Sequence, residues 1–357
     1  MNALRPDWFS TRIQLCETAS ADVGVVIVAN VKEKTTPLDD YDGDSIITEF
    51  LSNQELDDIV EYFESAGLYC DVLIDEQRFL NWLVQGHPFP RRHAVVYNLA
   101  QNGTGPARLT TIAALCRLNR LPLVDSEAYG VALAQHKFHS LSLLSHFGMP
   151  VARCWSFGHN GWWPNSPPLD LKLIAKPTFD SASIGVDHAS VFQMTGSCAE
   201  SLLERVKRYR QPLTVQEFVS GYEIEVPVFG ADAPQTIAAI GIDLHGRRQL
   251  GDEVLTYSSV FDDEYGFYDF ADEDLNAANE AMRISRQAFS ALGLIGIGRV
   301  DFRITSSGRP FIMEVNCKPH ITKHSGFMHA LSLIGCSGSD LAKYMVGFAV
   351  ERHNLIG

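Results

Sequence analysis

Residues 23–29 read V-G-V-V-I-V-A, a short unbroken apolar run rich in β-branched side chains, which predicts a strand buried on both faces. After a polar, acidic segment, Ser52-Asn53-Gln54-Glu55 has the spacing of a capping box. It opens a predicted helix with Leu56, Ile59, Val60 and Phe63 on one face and Gly67 at its end. Two more strands are predicted at 69–74 and 94–99, and a helix over about 108–118. This alternation predicts an open, mainly parallel α/β sheet for the first third of the chain.

Residues 126–147 carry Leu133, Leu141, Leu144 and Phe147 at helical spacing before Gly148 and Pro150, predicting one helix. Strands are predicted at 171–176 and 213–219 around a helix near 199–209, and the Gly/Pro cluster at 158–168 reads as an exposed loop. Four strands follow at 223–229, 236–243, 299–304 and 310–316. A helix near 276–292 has Ala281, Ile284, Ala288 and Leu292 on one side. Runs of strands with interspersed helices predict α+β organisation here. The expected division is an α/β domain over 1–125, a central subdomain over 126–215 and a C-terminal subdomain over 216–357.

Composition narrows the function classes. With 357 residues, 46% of them hydrophobic, the chain can bury a large core. A formal charge of −14 leaves no excess of Lys and Arg for a phosphate backbone, which argues against nucleic acid as a partner. No apolar run is long enough to span a membrane, and M-N-A-L-R-P-D-W-F lacks the apolar core of a signal peptide. Seven scattered cysteines, none in C-x-x-C spacing, fit the reducing cytoplasm.

Chemistry concentrates in 299–316. Arg299-Val300-Asp301-Phe302-Arg303-Ile304 and Ile312-Met313-Glu314-Val315-Asn316 both alternate polar with apolar residues around the turn residues Ser306-Ser307-Gly308. Without a bulge, a symmetric hairpin sets Asp301 opposite Glu314 and Arg299 opposite Asn316, all on one face. Opposed carboxylates repel, and a divalent cation relieves the repulsion; an all-oxygen donor set suits Mg²⁺. Read alone, the segment fits a solvent-facing hairpin face equally well.

Other segments bear on that choice. Lys176 ends a predicted strand and is followed by a small, hydroxyl-rich loop through Ser181, Ala182 and Ser183 to Gly185, where backbone N–H groups can approach phosphate oxygens. Lys137 lies in a helical stretch poor in basic residues. In Gln216–Val226, Glu223 and Glu225 share a face where a carboxylate can accept from ribose hydroxyls, and backbone groups near Glu217–Val219 can read an adenine edge.

Six segments occur in one order: D-S-E-A-Y-G-V-A-L-A-Q-H-K (125–137), A-K-P-T-F-D-S-A-S-I-G-V (175–186), Q-E-F-V-S-G-Y-E-I-E-V (216–226), G-F-Y-D-F (266–270), G-R-V-D-F (298–302) and M-E-V-N-C-K-P-H-I-T-K-H-S (313–325). Together they resemble the ATP-grasp superfamily, specifically the D-alanine–D-alanine ligase family. The resemblance implies an ATP-grasp fold behind an N-terminal α/β domain. It implies ATP and Mg²⁺, or Mn²⁺ in its place, as cofactors, small-molecule carboxylate and amine substrates, and a homodimer. It places Lys137 and Lys176 on ATP phosphates under the Ser181–Gly185 loop, including Ser183. Gln216, Glu217 and Val219 would line adenine, with Glu223 at the ribose. Asp301, Glu314 and Asn316 would hold metal, Arg299 would stabilise an acyl phosphate, and Ser325 would hold the second substrate's carboxylate. G-F-Y-D-F would belong to a flexible covering loop.

Departures concern the amino-acid half. The family's G-G-x-S-x-E-x-x-V-S run, which binds the first amino acid's ammonium, is absent, and the region reads A-N-V-K-E-K-T-T-P-L-D-D-Y-D-G-D. Glu49 or the Asp39–Asp44 cluster is an alternative ammonium ligand, or simply part of a solvated acidic loop. Ala182 replaces a serine, and Glu273 and Asp274 replace a lysine and a tyrosine of the covering loop. His320 replaces a glycine; with Lys323 and His324 it reads either as a base or carboxylate ligand at the rim, or as loop structure. Cys317 reads as a packing residue. These departures imply an ATP-dependent ligase joining amino acids or similar small molecules in specialised metabolism. The alternatives are a true D-alanine–D-alanine ligase, a kinase using the same site, and a nucleotide-binding module without catalysis.

Overall fold

The computed structural model describes residues 5–41, 45–262 and 264–356, so Asp42 and Asp44 of the acidic candidate cluster, and the first four residues, lie outside the described residues. Three sheets organise the chain. The first is parallel, in order β2-β1-β3, with β1 (Val23–Ala29) central between β2 (Tyr69–Ile74) and β3 (His93–Leu99). Every β1 residue is buried, as its unbroken apolar run predicts. The helices α1 (Asp7–Ala19), α2 (Asn53–Ser65), α3 (Glu76–Val84) and α4 (Thr111–Asn119) accompany it. The capping box of α2 is formed: Glu55 N–H donates to Ser52 Oγ at 3.2 Å and Ser52 N–H to the Glu55 carboxylate at 2.6 Å.

The second sheet is antiparallel, in order β5-β4-β8-β6-β7. Its strands are β4 (Cys154–Gly158), β5 (Gly161–Trp163), β6 (Lys172–Pro177), β7 (Val191–Gln193) and β8 (Leu213–Glu217). The 158–168 stretch is therefore not all loop: β5 turns back on β4 across His159-Asn160, pairing Gly158 with Gly161. Helices α5 (Ala128–Gln135) and α6 (Lys137–His146) precede the sheet, and α7 (Cys198–Tyr209) packs Leu202 and Val206 against Leu173, Ala175 and Val215.

The third sheet runs β13-β11-β9-β14-β15, with β10 and β12 also paired to β9. It comprises β9 (Gly221–Gly230), β10 (Gln235–Thr236), β11 (Ile240–Leu244), β12 (Gln249–Gly251), β13 (Tyr265–Asp269), β14 (Gly296–Ile304) and β15 (Pro310–Asn316). The single strand expected at 236–243 is thus divided into β10 and β11. Helix α8 (Tyr257–Phe261) precedes β13, and α9 (Leu275–Ala291) packs Ala281, Ile284 and Ala288 in one core with Val300 and Phe302. The last helices, α10 (Gly326–Leu333) and α11 (Gly338–His353), return to the first sheet's core. Phe9 of α1 stacks on Tyr344 of α11 with ring centroids 4.8 Å apart. Gly347 lies so close to α1 that a Cβ there would sit 1.8 Å from the Arg12 carbonyl oxygen.

Candidate active site

The hairpin has the expected register at its functional end. Arg299 pairs with Asn316 and Asp301 with Glu314; beyond Asp301 the ladder shifts by a bulge, so Phe302 pairs with Ile312. On the other side of β14, Glu225 of β9 pairs with Asp301. Glu225, Asp301 and Glu314 therefore stand in line across three neighbouring strands.

Cations and amides hold this row. Arg299 chelates Asp301 at 2.7 and 2.9 Å and reaches Glu225 at 3.1 Å, while the Asn316 amide donates to Asp301 at 2.7 Å. Burial pushes the Asp301 carboxyl up against the opposing pull of Arg299. Burial likewise raises Glu225, to about 7, with Arg299 opposing and Asp301 and Glu223 adding to the rise. Although burial disfavours its charge, Arg299 binds its proton more firmly than usual because Asp301 and Glu225 face it.

The row opens on a cavity of about 850 Å³ lined from all three sheets' segments. The helix predicted over 126–147 is interrupted at His136, which makes Lys137 the first residue of α6. From there its buried ammonium contacts Glu314 at 3.0 Å and donates to the Asp180 carbonyl. Lys176 lines the cavity without an ion pair or side-chain hydrogen bond to any described residue. Burial lowers its pKa, opposed by Glu314 and Glu223.

The loop after Lys176 bends through left-handed backbone at Ala182 (φ 50°), Ser183 (φ 54°) and Gly185 (φ 71°). Ser181 donates to Glu49 from its N–H at 2.7 Å and its hydroxyl at 2.9 Å. Glu49 is buried, not solvated, and is matched by the Arg108 guanidinium. Arg108 also faces Asp180 at 3.7 Å, and Asp180 accepts from Tyr41 at 3.2 Å and from Gln211 at 2.8 Å. Long-range partners of this kind left no trace in local sequence pattern.

Val219 and Glu223 also line the cavity. The Val219 N–H has no protein acceptor among the described residues. Glu223 pairs with buried Arg303 at 2.9 Å. Contrary to the expectation, the Gln216 and Glu217 side chains are not on the cavity wall. Gln216 is wholly buried with both amide atoms unpartnered. Strand alternation turns Glu217 outward, where Arg153 chelates it at 2.7 and 3.1 Å.

At the rim, Ser325 lines the cavity while its hydroxyl caps α10, donating to the Thr322 carbonyl at 2.8 Å and accepting from Met328 N–H at 3.2 Å. His320 meets Glu55 at 3.4 Å, Lys323 meets Asp58 at 2.7 Å, and His324 lies against Tyr265 and Phe267. Burial would raise Glu55, but hydrogen bonds from His320 and Ser52 outweigh it and hold the carboxyl at about 2. The buried Cys317 thiol is pushed up to about 12, so it packs and does not attack. The G-F-Y-D-F segment runs from β13, hydrogen-bonded to β11, into a helical turn at Phe270 in place of the expected flexible loop, and Tyr265 and Phe267 of β13 line the cavity. Asp274 caps α9 and Glu273 pairs with Arg248.

Asp301, Glu314 and Asn316 offer an oxygen donor set of the type hard cations prefer. Lys137, Arg299 and the Asn316 amide partner those carboxylates in the structure. Among the described residues no three acidic, His or Cys side chains sit in ligand geometry.

Known proteins share this fold. The family model described as D-ala D-ala ligase C-terminus matches residues 143–347. An uncharacterized protein, y4sG, of Sinorhizobium fredii is 25% identical over 74% of this chain and 77% of its own length. The D-alanine--D-alanine ligase of Shouchella clausii is 28% identical over 68% and 65%, and that of Staphylococcus carnosus 24% identical over 94% of both chains. Among solved structures, the D-alanine--D-alanine ligase of Bacillus anthracis complexed with ATP superposes with a TM-score of 0.66 at 13% identity, covering 92% of this chain and 98% of that one. VanG D-Ala:D-Ser ligase of Enterococcus faecalis gives 0.66 at 19% identity over 92% and 100%. The chain has the ATP-grasp ligase fold and belongs to the D-alanine–D-alanine ligase family, of which it is a ligase-type enzyme.

Proposed function

We propose that the protein uses ATP to activate a carboxylate as an acyl phosphate and passes the acyl group to an amine. The observation that carries this reading is the Arg299, Asp301, Glu314 and Asn316 face sharing one cavity with Lys137 and the unpartnered Lys176. A substrate carboxylate oxygen attacks the γ-phosphorus and the bond to ADP breaks. The amine nitrogen then attacks the acyl carbon, phosphate leaves, and the nitrogen loses a proton. Lys137 and Lys176 hold phosphate oxygens beneath the Ser181–Gly185 loop, and Arg299 stabilises the acyl phosphate and the tetrahedral intermediate. The Val219 N–H offers a donor for the adenine edge, and Glu223 an acceptor for the ribose. Mg²⁺, held by Asp301, Glu314 and Asn316, would neutralise charge at the phosphates. Ser325 would bind the second substrate's carboxylate, and His320 would take the amine's proton.

ADP and phosphate should appear together only when acid and amine are both present, and hydroxylamine should divert the product to a hydroxamate. Formation of a stable phosphorylated product with no hydroxamate would make the enzyme a kinase instead. Glu314→Ala should abolish turnover; unchanged function would point to a binding module. Amino-acid-like substrates of specialised metabolism fit the altered N-terminal wall, whereas the named relatives favour D-alanine, so an assay with D-alanine alone separates the two. Seven unpaired cysteines fit a cytoplasmic setting. A homodimer, which light scattering would reveal, completes the proposal.

A further inference from the structure

Around the cavity, the acids contributed by the N-terminal segment are already satisfied. Glu49 has Arg108 and the two Ser181 donors, Glu55 has His320 and the Ser52 N–H, and Asp58 has Lys323 and Gln54. An incoming ammonium therefore meets no unmatched carboxylate on that wall. The unmatched charges there are positive. Lys32, three residues beyond the end of β1, lines the cavity with no ion pair or side-chain hydrogen bond among the described residues. Lys318 lines it too, and its ammonium donates only to a neutral acceptor, the Asn98 carbonyl of β3, at 2.8 Å. Burial lowers the Lys318 pKa, opposed through space by buried Asp125 and by half-buried Glu76, and neither acid forms an ion pair with it. Both lysines thus gather near the carboxyl ends of neighbouring parallel strands, where open α/β sheets place their ligands.

We infer that the acid activated by this enzyme carries a second anionic group, a further carboxylate, which Lys32 binds with Lys318 beside it while the reacting carboxylate lies at Arg299. This rests on the ligase reading above and names its substrate class. It makes Lys32 a specificity residue on the cavity wall, outside the reacting atoms.

The test uses the full chain saturated with a non-hydrolysable ATP analogue and Mg²⁺, titrated calorimetrically with succinate, glutarate and adipate, and with butyrate and D-alanine as acids lacking a second carboxylate. At least one dicarboxylate should bind at least about tenfold more tightly than butyrate or D-alanine, the effect of one charge-assisted contact. Lys32→Ala should remove that preference, Lys32→Arg should restore it, and neither should alter affinity for the ATP analogue. In turnover the Lys32→Ala loss should appear in KM for the acid and not in kcat. Equal or tighter binding of D-alanine, no dicarboxylate binding, or an unchanged preference in Lys32→Ala overturns the inference and leaves the ligase reading standing. Failure of the ATP analogue to bind overturns the ligase reading, and this one with it.

Discussion

Glu225 occupies the inner end of a row of three carboxylates and ionises only near pH 7. Its folded-state pKa lies above the ordinary value of 4.5, so its contribution to stability is full below pH 4.5 and is lost as pH rises through about 7. Glu225→Gln cannot ionise. Between pH 5 and pH 8 the wild type should lose on the order of 2 kcal/mol relative to Glu225→Gln. Urea titrations at the two pH values measure the difference, and a constant gap would place the titration elsewhere. Glu55 has the opposite sign: its carboxyl is held at about 2, so its contribution is present above pH 4.5 and fades as pH falls towards 2. Glu55→Gln should cost about 1 kcal/mol at pH 7, with thermal melts converging in strong acid. Single residues were legible in sequence where their partners were close along the chain. Asp301 and Glu314 are joined by a short turn, so alternation alone paired them. The inward Gln216 and outward Glu217 side chains were not legible, because a resemblance carries residue types across but not the direction in which each side chain points.

At the scale of elements, the Ser181–Gly185 loop is tied to the N-terminal segment by buried charges. Arg108 lies between Glu49 and Asp180, and Ser181 hangs from Glu49. Arg108→Ala strands two buried carboxylates and should lower stability by about 3–5 kcal/mol, read from urea unfolding. The same variant should raise KM for ATP, because the loop loses its anchor. The double variant Arg108→Met/Glu49→Met should recover much of the stability but not the KM. None of this was visible beforehand: Glu49 and Ser181 are 132 positions apart, and an acidic run reads locally as solvated surface. Strands β1, β2 and β14 were legible because their apolar patterns are strict, whereas the break between α5 and α6 depends on His136, whose ring accepts from the His139 N–H.

At the scale of the molecule, the N-terminal sheet is not completed by its own neighbours. Its core takes Leu341, Tyr344, Met345 and Val350 from α11, packed with Phe9 and Ile13 of α1. That helix escaped the sequence reading because it is buried on most sides and shows no single apolar stripe. Gly347→Ala would drive a methyl group into the Arg12 carbonyl and force the two helices apart. It should cost about 1–3 kcal/mol in urea unfolding followed by tryptophan fluorescence, with Trp8 reporting the helix contact.

The meeting of α1 with α11 also sets a timetable for biosynthesis. As the polypeptide emerges from the ribosome, the second and third sheets can assemble from contiguous stretches, but the first sheet must wait with an apolar flank bare until residues 338–353 have left the exit tunnel. Any message cut short before that point would yield a chain with two finished sheets and an unfinished front half, a natural target for chaperones and proteases.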